Sequence, residues 1–134
     1  MNNIFSKKIF NKKQVEKVVS EHSKKPVTIL VAHNKEELKL LVREAIKCNG
    51  NECDLNFIDV SAIEDMSCVF FHSDFNGDVS KWNVARVKNM TCMFSCSAFV
   101  GDLSNWKVDR GCRIDDIFFR CNIPGKNIPK SMRI

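Results

Sequence analysis

Tyrosine is absent from the 134 residues, and only five glycines, three prolines and three histidines are present. The glycines form no phosphate-cradling loop, because they fall at helix stops and at repeat turns. His22, His33 and His72 have no partner at a spacing that implies a catalytic triad, and His22 and His33 read as packing or surface residues. Long apolar runs are missing as well. The run Val27 to Ala32 is far short of the roughly 18 apolar residues of a spanning helix. Ser6, Lys7 and Lys8 interrupt the stretch from Ile4 to Phe10, where a signal peptide needs an unbroken apolar core. The expectation is a chain that stays in the cytoplasm of the cell that makes it, with no membrane contact. Seven cysteines, an odd number without an export signal, read as reduced thiols and not as a disulfide framework.

What is present is apolar enough to fold: a hydrophobic fraction of 44% with ten phenylalanines excludes a disordered chain. The length suits one domain and leaves no room for two separate cores. The net charge of +5 invites a nucleic-acid reading, but the charge is unevenly placed. Residues 1 to 25 hold seven Lys against two Glu. The balance is neutral over 26 to 53, four basic against eight acidic over 54 to 109, and six basic against two acidic over 110 to 134. A basic head, an acidic middle and a basic tail result.

In the N-terminal third, Asn11 and Gln14 have capping-box spacing, and Val15, Val18, Val19 and His22 mark one face of a short helix whose other face is lysine-rich. Pro26 ends it, and Val27 to Val31 reads as a buried strand. A second helix starts at the cap Asn34 with Glu37 in its first turn, and places Leu38, Leu41, Val42, Ala45 and Ile46 on one face before Gly50 stops it.

From residue 55 the chain repeats with a period of 24. Val60, Val84 and Val108 are in step, as are Met66, Met90 and Ile114, then Phe70, Phe94 and Phe118, then Phe75, Phe99 and Ile123, and Gly77, Gly101 and Gly125. Ile58, Trp82 and Trp106 share a phase, and so do Leu55, Val79 and Leu103. Ile63, Met66, Val69 and Phe70, like Val87, Met90, Met93 and Phe94, have helical spacing, whereas Phe99 to Trp106 is punctuated by Gly101 and alternates as a strand does. A unit of one strand and one short helix cannot bury its apolar face alone, so stacked units are expected.

The strings DVSAIEDMSCVFFHSDFNGDVSKWNV and NVARVKNMTCMFSCSAFVGDLSNWKV resemble the repeat of BspA-like leucine-rich-repeat proteins, found in bacterial surface proteins and lipoproteins and also in protists, phages and large DNA viruses. The resemblance spans about 55 to 128. It implies an α/β repeat, a short leucine-rich-repeat-like right-handed solenoid with an N-terminal helix-strand-helix cap. By this division 1–54 is the N-terminal cap, 55–109 holds two 24-residue repeats, and 110–134 is a degenerate third repeat and C-terminal cap. The third unit departs from the pattern, with Gly111 in place of the helical-face Val, Asp116 in the column of Cys68 and Cys92, and Lys130 where Trp is expected. The resemblance implies a non-enzymatic protein-protein interaction module without cofactors, and its distribution adds a phage or virion component, or a binder of a host protein, to the expected roles. Self-association at a poorly covered end is a further expectation.

On that reading the partner-binding strand face carries Asp54, Asn56, Asp78, Ser80, Asp102, Ser104, Trp82 and Trp106. The three aspartates either bond backbone amides in turns or present an acidic ladder to a basic partner. Cys68, His72, Cys92 and Cys96 are residue types that zinc prefers, and on adjacent helices they could converge; packing as small apolar residues is the favoured alternative, so no metal site is assigned. Lys7, Lys8, Lys12, Lys13 and Lys17 would carry a nucleic-acid-associated alternative through counterion release. Against it, the head has only Phe5 and Phe10 for stacking.

Overall fold

A computed structural model describes residues 29–132 together with Lys13, Glu16 and Lys17, which are helical. The expected cap at Asn11, the first helical face, Pro26 and the first residues of the expected strand lie outside the described residues. The regular elements are β1 (Leu30–Val31), α1 (Lys35–Asn49), β2 (Ile58–Asp59) and two single 3-10 turns, Gly125–Asn127 and Lys130–Met132. β1 pairs with β2 in parallel, Leu30 opposite Ile58 and Val31 opposite Asp59.

α1 forms as its caps direct. The Asn34 side chain accepts a hydrogen bond from the Glu37 amide at 2.9 Å, satisfying one of the free donors of the first turn. Glu37 reaches back one residue further than a capping box requires: its Oε1 accepts from the His33 amide at 3.0 Å and lies 2.8 Å from His33 Nδ1. At the other end the Gly50 amide donates to the Ile46 carbonyl from a backbone at φ 87°. Leu38, Leu41, Val42 and Ala45 are buried, which holds α1 against the core.

The expected right-handed leucine-rich-repeat-like solenoid of strand-and-helix units is not what the chain forms. Apart from the three helical residues in the head, the regular structure among the described residues is α1, a two-stranded sheet of two residues per strand and two 3-10 turns, and the repeats from residue 55 to 109 hold no helix and no strand but the two residues of β2. The finding that overturns the helical reading is the backbone hydrogen bonding. The amides of Met66, Cys68, Phe70 and His72 donate to the carbonyls of Asn89, Thr91, Met93 and Ser95, 23 residues ahead, where a helix would send each back four residues. Met90, Cys92, Phe94 and Cys96 donate in the same way to Arg113, Asp115, Ile117 and Phe119. Within each row consecutive turns close between residues three apart, as from Val69 to Met66 and from Phe71 to Cys68.

These turns need left-handed backbone at fixed places. Cys68, His72, Cys92, Cys96, Asp116 and Arg120 have φ between 54° and 62°, two positions per unit and 24 residues apart in step. A side chain of L-chirality in that region costs about 1–2 kcal/mol, so glycine is its usual occupant. None of the six is glycine. His72 is exposed, which makes it a clean test: His72→Gly is expected to hold or raise stability by a few tenths of a kcal/mol, while β-branched His72→Val loses about 1–2 kcal/mol in chemical denaturation. Equal effects of the two substitutions would mean that the positive φ carries no cost.

The strand reading of the stretch through Gly101 fails for a related reason. Asp102 engages the Ser104 amide and Leu103 accepts from the Trp106 amide, so the chain turns there and does not run extended. Isolated bridges join the units as well, Asp54 to Asp78, Asp65 to Asn89 and Asn89 to Arg113.

One core runs from Leu30 to Ile123. Its centre is aromatic and follows the 24-residue columns. Phe70, Phe94 and Phe118 stack at 5.3 and 5.9 Å, Phe75 and Phe99 at 6.1 Å, and Trp82 and Trp106 at 6.4 Å between centroids. Cross-links join the columns, with Phe70 on Phe75 at 4.8 Å and Phe94 on Phe99 at 4.5 Å. Such offset pairs add about 0.5–1.5 kcal/mol each beyond area burial.

Candidate functional site

The outer corners of the units are built by short acidic and amide side chains that accept from the amide two residues on. Asp54 takes the Asn56 amide at 2.7 Å, Asp78 the Ser80 amide at 2.8 Å and Asp102 the Ser104 amide at 2.9 Å. The same device recurs at Asp59 with Ser61, Asp65 with Ser67, Asn83 with Ala85 and Asn89 with Thr91. These Asx turns replace backbone acceptors at each bend and fix the carboxylate orientation. Asn side chains tie successive units together: Asn56 Oδ1 accepts from the Lys81 amide and Asn76 Oδ1 from the Val100 amide.

Asp54, Asp78 and Asp102 are exposed and one unit apart, while Leu55, Val79 and Leu103 beside them are buried. They form an acidic row whose members each use one oxygen within their own turn. Hydrogen bonds from the Ser80 hydroxyl and amide hold the Asp78 carboxyl below its ordinary range, with Asn56 and Lys81 assisting. The Ser104 hydroxyl and amide do the same for Asp102, against the neighbouring charge of Asp78. At Asp65 desolvation acts upward but is outweighed by the hydrogen bonds of Ser67 and by Lys35, whose Nζ lies 3.3 Å away.

The sign of the pH effect follows. A carboxylate with a lowered folded-state pKa stabilises the fold above the unfolded value of about 3.9 and loses that contribution as pH falls through the folded value. Stability is therefore expected to be flat above pH ~5 and to drop below pH ~4. An Asp65→Asn, Asp78→Asn and Asp102→Asn triple variant keeps the Asx acceptors and should show a shallower acid limb in urea unfolding. An unchanged acid limb would count against the assignment.

Ser80 and Ser104 lie in the turns of the acidic row, and Asn56 lies in the first turn and bridges to Lys81, as the geometry above describes. Trp82 and Trp106 require correction, because they are not on a binding face. Each is 4% exposed, stacked in the core, and its indole N–H donates across one unit, Trp82 to the Leu55 carbonyl and Trp106 to the Val79 carbonyl, both at 2.9 Å. Burial of the large ring with its one donor satisfied is the ordinary outcome for tryptophan.

The Cys and His columns occupy the left-handed turn positions, not adjacent helices. No group of three or more His, Cys, Asp or Glu side chains that could hold a metal ion occurs among the described residues. Cys68 Sγ lies 3.8 Å from the Thr91 carbonyl oxygen, Cys96 Sγ lies 3.7 Å from Ser95 Oγ, and His72 meets the edge of Phe71 at 4.3 Å. The Cys68 and Cys96 thiols thus face a backbone carbonyl and a hydroxyl, and Cys68 also lies beside Cys92 of its own column. All seven cysteines are free, and burial pushes the Cys53 and Cys112 thiols up. Desolvation, with Cys68 next to it, does the same to Cys92.

Lys7, Lys8 and Lys12 lie outside the described residues, while Lys13 and Lys17 are exposed. The Asx corners were readable in advance, since Asp-x-Ser recurs at 59, 65, 78 and 102, but the left-handed positions carry no glycine signal.

A family model described as "Mycoplasma protein of unknown function, DUF285" matches residues 36–130. The chain belongs to this family. No curated protein and no solved structure matched it. The DUF285 match takes in nearly all of α1 and the three hydrogen-bonded rows, and leaves the lysine-rich head outside. Its description names Mycoplasma and assigns no activity. Among the described residues, no helix is long and apolar enough to cross a membrane.

Proposed function

We propose that this DUF285 chain is a non-enzymatic protein-interaction module, and that its acidic row binds a basic partner. The observation that carries the reading is the set of three exposed carboxylates, Asp54, Asp78 and Asp102, repeated at one-unit spacing and each held by its own turn. Fixed charges of one sign in a row meet a complementary row with little further loss of side-chain freedom, which favours specificity and fast association. The sequence resemblance to BspA-like repeats, generally taken as binding proteins, supports the same class.

The test is affinity capture from extract of the source cell, with and without nuclease treatment. Three baits are compared: the natural chain, an Asp54→Asn, Asp78→Asn and Asp102→Asn variant, and a variant with Lys7, Lys8, Lys12, Lys13 and Lys17 changed to Gln. The reading expects a protein captured by the first and third baits and reduced at least about tenfold with the second. Capture that needs the lysines and disappears after nuclease would instead favour the nucleic-acid alternative.

A further inference from the structure

Two thiols meet across the first and second rows. The Cys68 amide donates to the Thr91 carbonyl at 3.0 Å and the Phe70 amide to the Met93 carbonyl at 2.9 Å, in the register that the bridge from Asp65 to Asn89 sets three residues earlier. Cys92 therefore lies opposite Cys68, and both hold the same left-handed backbone, at φ 57° and 62°. Opposite positions of hydrogen-bonded neighbouring rows are about 4.8 Å apart between Cα atoms, inside the ~4.4–6.8 Å that a disulfide spans. No other two cysteines among the described residues hold opposite places in neighbouring rows. Asp116 follows in this column, His72, Cys96 and Arg120 share another, and Cys121 meets Ser97.

Access divides the pair. Cys68 is exposed, whereas Cys92 is half-buried. Desolvation, with Cys68 beside it, pushes the Cys92 thiol up. A dissolved reagent thus meets Cys68 first, and Cys92 waits behind it as a thiol. The contact that Cys68 Sγ would give up in turning toward Cys92, 3.8 Å to the Thr91 carbonyl oxygen, is a weak one.

We propose that Cys68 and Cys92 form a redox-modification site, at which a low-molecular-weight disulfide oxidises the two thiols to one disulfide that locks the first unit to the second. The Cys68 thiolate attacks one sulfur of the reagent, whose S–S bond breaks. One half stays on Cys68 as a mixed disulfide, and the other leaves as a thiolate and takes up a proton. Cys92 then gives its proton to water and attacks Cys68 Sγ, expelling the second half, which also ends as a thiol. The protein loses two electrons and two protons, and the reagent is reduced to two thiols. The site lies in a different column from the acidic row and does not depend on it.

In the experiment the folded full chain, reduced and then freed of reductant, is incubated with oxidised glutathione. Remaining thiols are alkylated, and peptides are mapped by mass spectrometry without reduction. The expected product is a chain lighter by two hydrogens with Cys68 joined to Cys92, exceeding any other pair at least about tenfold. Cys92→Ser should stop at the mixed disulfide on Cys68, and Cys68→Ser should react at Cys92 at least about tenfold more slowly than the natural chain reacts at Cys68. The oxidised natural chain should unfold in urea at a midpoint higher by about 1 M or more, and dithiothreitol should reverse the shift. Mapping uses the natural chain, so it does not depend on the folding of either variant. The proposal is overturned if the main linkage joins Cys92 to Cys96 or any other pair, if the mixed disulfide on Cys68 persists in the natural chain, or if both thiols stay unreacted in the folded chain. It is also overturned if Cys68→Ser reacts as fast as the natural chain, or if the linked and reduced chains unfold at the same midpoint.

Discussion

Gly77→Ala is expected to destabilise the protein by at least about 3 kcal/mol, at the upper end of what one added methyl group does. The reason is local and rigid. A Cβ at position 77 would fall inside the contact distance of the Cys53 carbonyl oxygen, a backbone atom, and 2.7 Å from the Phe75 ring. That carbonyl accepts from the Asp78 amide at 3.1 Å, so neither partner can retreat without breaking the join between the first unit and the turn that follows α1. Gly125 is the last glycine of the same column, and nothing lies within 4 Å of a Cβ there. Gly125→Ala should therefore change stability by no more than about 0.5 kcal/mol. Urea unfolding of the two variants under one condition gives the comparison, and a Gly77→Ala loss below about 1 kcal/mol would show that the close approach is not rigid.

The two glycines show how far the 24-residue period could be read. The period placed Gly77, Gly101 and Gly125 in one column correctly, but a column does not say which member meets backbone. That depends on what the preceding unit supplies, and only Gly77 faces the chain leaving α1. α1 itself was legible in full, from the Asn34 cap to Gly50, because its signals are local and act within one turn. The helices and strands assigned inside the repeats were not formed. Apolar residues three and four apart occur in a helix, but they also occur in a row of tight turns whose alternate residues point inward, and the two differ in where the amides go. That difference rests on left-handed backbone at Cys68, His72, Cys92, Cys96, Asp116 and Arg120, residue types that give no warning of it.

The candidate site divides along the same line. Asp54, Asp78 and Asp102 were placed correctly on the outside because their neighbours Leu55, Val79 and Leu103 are apolar in step. Trp82 and Trp106 were assigned to the binding face, though their phase is shared with Ile58, which is buried. Their indole donors find carbonyls 27 residues back, a contact no local pattern announces.

Phe94→Ala is expected to be the most damaging core substitution, costing about 3–5 kcal/mol of a total that for domains of this size is typically about 5–15 kcal/mol. Phe94 is fully buried and lies at the crossing of both aromatic directions. It stacks on Phe70 at 5.3 Å and Phe118 at 5.9 Å along its column and on Phe99 at 4.5 Å across it, with Trp106 tilted against it at 6.2 Å. Because the repeating rows are turns with no helix or strand of their own, removing the ring leaves a void that regular secondary structure cannot span, and the rows on both sides lose their shared support. Phe118 is the same residue type in the same column, but it is the last of the stack and half-buried. Phe118→Ala should cost about 1–2 kcal/mol, since less area leaves the core and the end can relax. Denaturant unfolding of both variants decides between a core that depends on its central stack and one that depends on total apolar area. Equal losses at 94 and 118 would favour the second, and a Phe94→Ala loss under about 1.5 kcal/mol would mean that the column is not what holds the rows in register.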